Sequence, residues 1–411
     1  MKNKIKFLGF IAVMAIVFSF AACDSGGGGG TGPGTDPGTG PGAGPGTGPG
    51  TGPDPGTGPG TGPGSGPGTG TVWTAVPNSI PTTIANLRIR ALEWGGDKFV
   101  IGADNKLAYS SDGKNWTVAA DSTFASENVR DIAWGNDTFV AVGSSAKIAY
   151  SSDGITWTAV ADEDNAFIGI YGGKSGVISV TYGGGKFVAG GGGLANGGSS
   201  IIAYSSDGIT WTAASGANSI FGTSGVSRLV YGDGTFLAAA LLDKMAYSTD
   251  GVTWTAVTQS IFSLLPSGGS NSLNAIAYGN GKFLATGFDG TIAYSTNGET
   301  WTVVANNPFY YPYKFADAEY DTWKAGAASD PVIAYGGGKF VAVNYGGKTG
   351  ISTDGVTWTI VADRVFGNYI PGTQEAMVYN AIEQIAYDGS KFIVMSPYSD
   401  MKDGVAYWDG N

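Results

Sequence analysis

The chain of 411 residues contains no histidine and a single cysteine, Cys23. The first absence removes His-dependent triads, histidine general bases and the common zinc sites. The second removes intramolecular disulfides, so the folded part must rest on its core alone. Charge is scarce as well. Only 13% of residues are charged, and the 22 basic against 33 acidic side chains leave a net charge of −11. No basic stripe stands out, so nucleic acid is not an expected partner. A carboxylate-only calcium site stays open on composition, but no metal and no cofactor is assigned.

The first 22 residues read as targeting. Lys2, Lys4 and Lys6 give a basic start, residues 7–20 are almost wholly apolar, and Ala21-Ala22 are small residues before a cut. The apolar run is too short and too close to the N-terminus for a permanent span. FAAC at 20–23 resembles a bacterial lipobox, which implies cleavage and lipidation at Cys23. Residues 1–22 are therefore expected to be a lipoprotein signal peptide. Acyl chains, and no polybasic patch, would then hold the protein to a membrane. The expected location is the bacterial cell envelope, at the outer membrane or cell surface.

Residues 26–70 are almost entirely Gly, Pro and Thr, with GPGT recurring. Such a stretch has nothing apolar to bury and cannot offset its ordering entropy. It is expected to be a disordered tether, 23–70 with its cysteine, spanning roughly 35–40 Å on average. The remaining segment, 71–411, is the expected folded domain.

That domain repeats one sentence. IAYSSDGITWTAV at 148–160 returns with small edits, and its tryptophan recurs at Trp73, Trp116, Trp157, Trp211, Trp254, Trp301 and Trp358. Each unit carries four short apolar segments bounded by Gly, Asn, Asp or Ser, as in DIAWG (131–135), FVAVG (139–143), KIAYS (147–151) and ITWTAV (155–160). These are strand-length, and the glycines between them suit tight hairpins. The first strand with its turn occurs seven times, from Leu92–Phe99 to Ile385–Phe392. The fourth strand follows only six of the units, while an orphan copy, VWTAV at 72–76, precedes the first. An open array would leave that strand and the last sheet edge unpaired. The expectation is an all-β, seven-bladed β-propeller of four-stranded blades, closed by strand 72–76 completing the C-terminal blade.

The string S-[ST]-[DN]-G-x-[TN]-W at 110–116, 151–157, 205–211, 248–254, 295–301 and 352–358 resembles the Asp-box, or BNR repeat, of sialidase-like propellers. It is one residue shorter than the usual family form. The resemblance implies a fold and leaves function open. Asp112, Asp153, Asp207, Asp250, Asn297 and Asp354 are read as turn-forming acceptors, and Trp116, Trp157, Trp211, Trp254, Trp301 and Trp358 as core. A phenylalanine follows in each link between blades: Phe124, Phe167, Phe221, Phe262, Phe309 and Phe366, with Ile80 in the first. These are read as packing plugs.

Function should lie where repetition fails. In an up-and-down blade, the long irregular links and the second-to-third turns share one face, so a site is expected there or at the channel mouth. The link 305–331 holds Tyr310, Tyr311, Tyr313 and Trp323 among charged residues, which suits stacking on a sugar or a protein contact. Arg90, Arg130 and Arg228 each lie one or two residues before the expected first strand of a blade. Sialidases clamp a substrate carboxylate with three arginines near that region. Asp131, Glu127 and Asp162 are acidic candidates, but none can be paired with a tyrosine nucleophile. Isolated surface arginines are the blander reading, and the one the sequence favours. The expected protein is a monomeric binding module for a glycan, an envelope polymer or a protein partner. A sialidase-like hydrolase and an envelope scaffold are the rivals.

Overall fold

The computed structural model describes residues 72–409, apart from 78, 82, 85–86, 169–175, 193–199, 241–243, 260, 262–272, 288–289, 311–330, 345, 363–364, 366–381 and 397–403. Cys23 and the tether lie outside the described residues. The described residues form seven four-stranded antiparallel sheets. Their inner strands are Ala91–Gly95, Val129–Gly135, Val177–Gly183, Val226–Gly232, Leu273–Gly279, Val332–Gly336 and Gln384–Tyr387. Each inner strand touches that of the next blade, and the seventh touches the first. This is a seven-bladed β-propeller, as the repeat count predicts.

The sheet order of the last blade shows how the ring closes. The N-terminal strand Thr74–Val76 pairs antiparallel with Val405–Trp408, placing Thr74 opposite Tyr407 and Val76 opposite Val405. The tryptophan before this strand is buried, and its Nε1–H donates to Thr349 Oγ1 at 2.8 Å. Its ring meets Trp408 edge-on at 5.8 Å. Trp408 takes the register position that a serine holds in the other blades: Phe392 lies opposite Trp408 as Phe139 lies opposite Ser151.

Blade-to-blade contact explains much of the glycine. The inner strands of the first six blades end in an aromatic residue followed by glycine. The next blade's aromatic ring then lies on that glycine. A Cβ on Gly135 would fall 2.0 Å from Tyr182 Cγ, and one on Gly183 would fall 2.0 Å from Tyr231 Cγ. These glycines are required for space, since their backbone angles are ordinary for a strand. The links add plugs: Phe124, Phe167, Phe221 and Phe309 are fully buried, and Ile80 is buried in the first link. Phe262 and Phe366 lie outside the described residues.

The outer strands are shorter than expected. ITWTAV at 155–160 yields only Thr158–Ala159 as strand. The N–H groups of Ile155 and Thr156 both donate to Asp153 Oδ1 at 2.8 Å, so they are unavailable to a ladder. Trp157 turns inward instead, and its Nε1–H donates to the Gly154 carbonyl at 3.3 Å.

A cavity at the channel mouth

The inner strands begin on the face that carries the links, and four of them begin irregularly. Register shifts fall between Val129 and Asp131, Val177 and Ser179, Val226 and Arg228, and Leu273 and Ala275. Arg130, Ile178, Ser227 and Asn274 are therefore bulged out of the ladder at its channel end. A bulge bends the strand and re-aims the side chain beside it. The result is a cavity of ≈ 660 Å³ at the channel mouth, lined by residues of all seven inner strands.

The chain has five arginines, Arg88, Arg90, Arg130, Arg228 and Arg364. The first four line this one cavity, and no lysine does. Arg364 lies outside the described residues. The sequence-based preference for isolated surface arginines is therefore corrected. Arg90, Arg130 and Arg228 converge because their near-equal offsets within a repeat become neighbouring places around a ring. The inner strands also start earlier than the apolar pattern suggests, so Arg130 and Arg228 sit inside them.

Three of the four guanidinium groups are engaged. Arg88 forms a two-pronged ion pair with Glu383 of the seventh blade, Nε to Oε2 at 3.1 Å and Nη2 to Oε1. Arg90 donates to Asp104 Oδ1 from Nε at 3.2 Å and Nη2 at 2.8 Å. Arg228 Nε donates to the Asn274 carbonyl at 2.6 Å, and Nη1 to the Ser227 carbonyl at 2.8 Å. Arg130 makes no hydrogen bond or ion pair among the described residues, and its side chain is exposed to the cavity. Its basicity is pulled down by partial desolvation, then by the charges of Arg90 and Arg88, against the pull of Asp104. One cation of this cluster is thus left without a counter-charge.

Deeper groups are acidic. Asp131 accepts from the Ile132 N–H at 2.9 Å, the Ser179 hydroxyl at 2.8 Å and the Val180 N–H at 2.9 Å. Burial still leaves its pKa raised, against those hydrogen bonds and the Arg228 charge. Glu93 is pushed up to about 8 by burial and then by the Asp131 charge, with a backbone hydrogen bond from Trp134 opposing. At neutral pH Glu93 therefore carries its proton.

The other predicted residues fall elsewhere. Tyr310 lies within the link 305–331, donates its N–H to the Asn307 carbonyl at 3.3 Å, and does not line the cavity. Tyr311, Tyr313 and Trp323 lie outside the described residues. Glu127 sits in a link turn and Asp162 opens the 3-10 turn Asp162–Asp164, both away from the cavity. Arg88, Glu93 and Glu383 were missed. Aligning the inner strands on their aromatic residue finds Glu93: its counterparts are Ala133, Thr181, Val230, Ala277, Ala334 and Ala386.

The repeated turns are scaffold by geometry. In the first, Ser110 Oγ donates to Asp112 Oδ1 at 2.9 Å, which also accepts the Lys114 and Asn115 N–H groups at 2.8 Å. Asp153, Asp207, Asp250 and Asp354 repeat the pattern, and Asn297 does so with its amide oxygen. Thr253 and Val252 N–H groups hold Asp250 down to about 2, and Thr357 chiefly holds Asp354 to about 2. Trp116, Trp157, Trp211, Trp254 and Trp301 are buried, and Trp358 packs edge-on against Phe309 of the link 305–331 at 6.1 Å. Among the described residues, no group of three His, Cys, Asp or Glu side chains could hold a metal ion.

Comparison with known proteins agrees on architecture. Residues 68–193 match the DUF6242 beta propeller domain. No curated protein matches in sequence. Among solved structures, YCF48 from Cyanidioschyzon merolae is similar at a TM-score of 0.52 and 14% identity, over 82% of this chain and 98% of that one. A structure described as YCF48 bound to D1 peptide is similar at 0.53 and 12%, over 82% and 94%. The GH74 enzyme of Niastella koreensis gives 0.48 and 18%, over 79% of this chain and 43% of that one. At these identities the likeness is one of fold. The chain is a seven-bladed β-propeller whose first two blades and part of the third match a described propeller domain family.

Proposed function

We propose that the protein is an exported, lipid-anchored binding module whose channel mouth captures a carboxylate-bearing segment of a protein partner. The observation that carries this reading is the gathering of four arginines on one cavity, with Arg130 left unpaired. Arginine's planar fork matches a carboxylate with two parallel hydrogen bonds, and crowded guanidinium groups gain from an added anion. In a chain of net charge −11, such a gathering needs a reason.

A polypeptide fits the cavity better than a sugar. Stacking on a sugar uses exposed aromatic faces, and the two aromatics of the described lining, Trp134 and Tyr182, are partly packed against protein. Trp134 lies against Gly95 and Phe139, and Tyr182 against Gly135 and Phe187. The same packing leaves Tyr182, the one tyrosine of the described lining, badly placed as a sialidase-type nucleophile. A propeller of this fold has been solved with a peptide, which is a precedent for the fold and not for this chain. After removal of the signal peptide, lipidated Cys23 and the tether of 23–70 would hold the cavity clear of a membrane surface.

Fluorescence anisotropy tests the reading. A labelled peptide with a single glutamate among alanines should bind the full chain, and its glutamine counterpart should bind at least tenfold more weakly. Arg130→Gln should remove that difference. Equal binding of the two peptides, or preference for polygalacturonate over both, contradicts the reading.

A further inference from the structure

Glu93 breaks the repeat at the one inner-strand position where the other blades carry Ala, Thr or Val. It lines the same cavity as Arg130, three residues along its strand from Arg90, or about 10 Å deeper by strand geometry. The charged groups around it are Arg88 and Arg90 on its own blade, and Arg130 and Asp131 on the second blade. Arg228 on the fourth and Glu383 on the seventh complete the set.

These groups balance in an instructive way. Arg88 is matched by Glu383 and Arg90 by Asp104. Arg228 is electrostatically coupled to Asp131. Only Arg130 remains in surplus, so the rim has room for one negative charge. One residue below Arg130, Asp131 uses its oxygens on Ile132, Ser179 and Val180 and has little left for a ligand. Glu93 is the floor group still open to the cavity.

We propose that Glu93 is the specificity-determining residue of this site, presenting a carboxylic acid O–H to a neutral carbonyl of a ligand whose single carboxylate sits at Arg130. The proposal rests on the anion-capture reading and narrows it. Arg130 takes the place on the second inner strand that Arg90 takes on the first, so the same three-residue spacing along the strands separates it from the level of Glu93, and the ligand is an extended segment with one acidic residue and neutral residues for the next three. A second acid at this depth would bring another carboxylate beside Asp131, where burial already disfavours negative charge. When Glu93 ionises, it joins Asp131 as a second carboxylate, the hydrogen bond to the ligand is lost, and binding weakens.

The absence of histidine makes this readable. No other side chain in the described cavity has an ordinary pKa between 6.5 and 9. With Glu93 at about 8, its protonated fraction falls roughly tenfold by pH 9. The experiment uses the single-glutamate peptide and a peptide with two glutamates three residues apart, titrated into the full chain at pH 6.5 and pH 9.0. Wild type should bind the first peptide about tenfold more weakly at pH 9.0, and should prefer it to the second at pH 6.5. Glu93→Gln keeps a neutral donor that does not titrate, so its affinity at pH 9.0 should equal its affinity at pH 6.5. Glu93→Ala should bind equally weakly at both. If Glu93→Gln loses affinity at pH 9.0 as wild type does, or if wild type shows no change, the assignment to Glu93 is overturned while Arg130-dependent binding stands. If the single-glutamate peptide does not bind at either pH, the anion-capture reading itself fails.

Discussion

Ser179 donates its hydroxyl to Asp131 across the boundary between the second and third blades, at 2.8 Å. Ser179 Oγ in turn accepts the Leu229 N–H of the fourth blade at 3.1 Å. Gln384, at the same place in the seventh inner strand, donates to the Arg90 carbonyl at 2.7 Å. A polar side chain at this register position therefore ties one blade to the backbone of the next. The same residues that shape the cavity also hold the ring together beneath it.

Asp131→Ala removes the acceptor from two N–H groups and a hydroxyl at once. Partly buried donors without partners are costly. The substitution should lower unfolding free energy by about 2–3 kcal/mol, measured as a lower urea midpoint with an unchanged slope.

Two kinds of glycine should respond differently to alanine. Gly135→Ala places a Cβ against the Tyr182 ring and should cost about 2–3 kcal/mol by overpacking. Gly281 has φ +71° and open space around its Cα, so Gly281→Ala should cost only about 1 kcal/mol of backbone strain. Thermal melts of the two variants give the comparison. Equal losses would show that ring seating contributes nothing beyond backbone conformation.

The turn aspartates set the acid limit. Asp250 ionises near 2 in the folded chain against an ordinary 3.8, and Asp112, Asp153, Asp207 and Asp354 are also lowered. A lowered carboxyl stabilises the fold fully above its unfolded pKa and loses that contribution as pH falls through the folded value. Stability should therefore drop between pH 4 and 2. Asn297 accepts the Glu299 and Thr300 N–H groups at 2.9 and 3.0 Å without any charge. Asp250→Asn should thus stay within about 0.5 kcal/mol of wild type at pH 7, whereas Asp250→Ala should lose about 1 kcal/mol. Equilibrium unfolding across that pH range checks both.

Glu93 acts at the opposite end of the pH scale. Its pKa rises from 4.5 to about 8 on folding, so its protonated form is the one the fold favours. That contribution is complete below pH 4.5 and is lost as pH rises toward 8. Glu93→Gln should be near wild type at pH 5 and more stable at pH 8.5, by on the order of 2 kcal/mol after screening by cavity water. Melts at the two pH values decide it.

Architecture was legible because the repeat encodes it locally. The aromatic residue that ends each inner strand, the Ser-Asp-Gly turn and the displaced strand at Trp73 each mark one place in a blade. Counting them fixes seven blades and the closing strand. Outer strand lengths were not legible, since Asp153 takes backbone N–H groups that a strand pattern assigns to the ladder. The cavity was only half legible. Arg130 and Arg228 stand out as charges among apolar residues, but their convergence with Arg88 and Arg90 depends on ring closure and on bulges that no apolar pattern predicts. Glu93 hides inside a strand that otherwise looks ordinary, and only alignment of all seven inner strands exposes it.

The most direct test of anion capture uses the scarcity of arginine. With five arginines in the chain, selective ¹⁵N labelling of their Nε atoms gives at most five side-chain signals in a proton–nitrogen NMR spectrum. Titrating the full chain with the single-glutamate peptide at pH 6.5 should shift the Arg130 signal saturably, with smaller shifts at Arg88 and Arg90. Arg130→Gln assigns the signal and should abolish the response of its neighbours. Five unmoved signals, or five that drift together without saturation, would contradict the account.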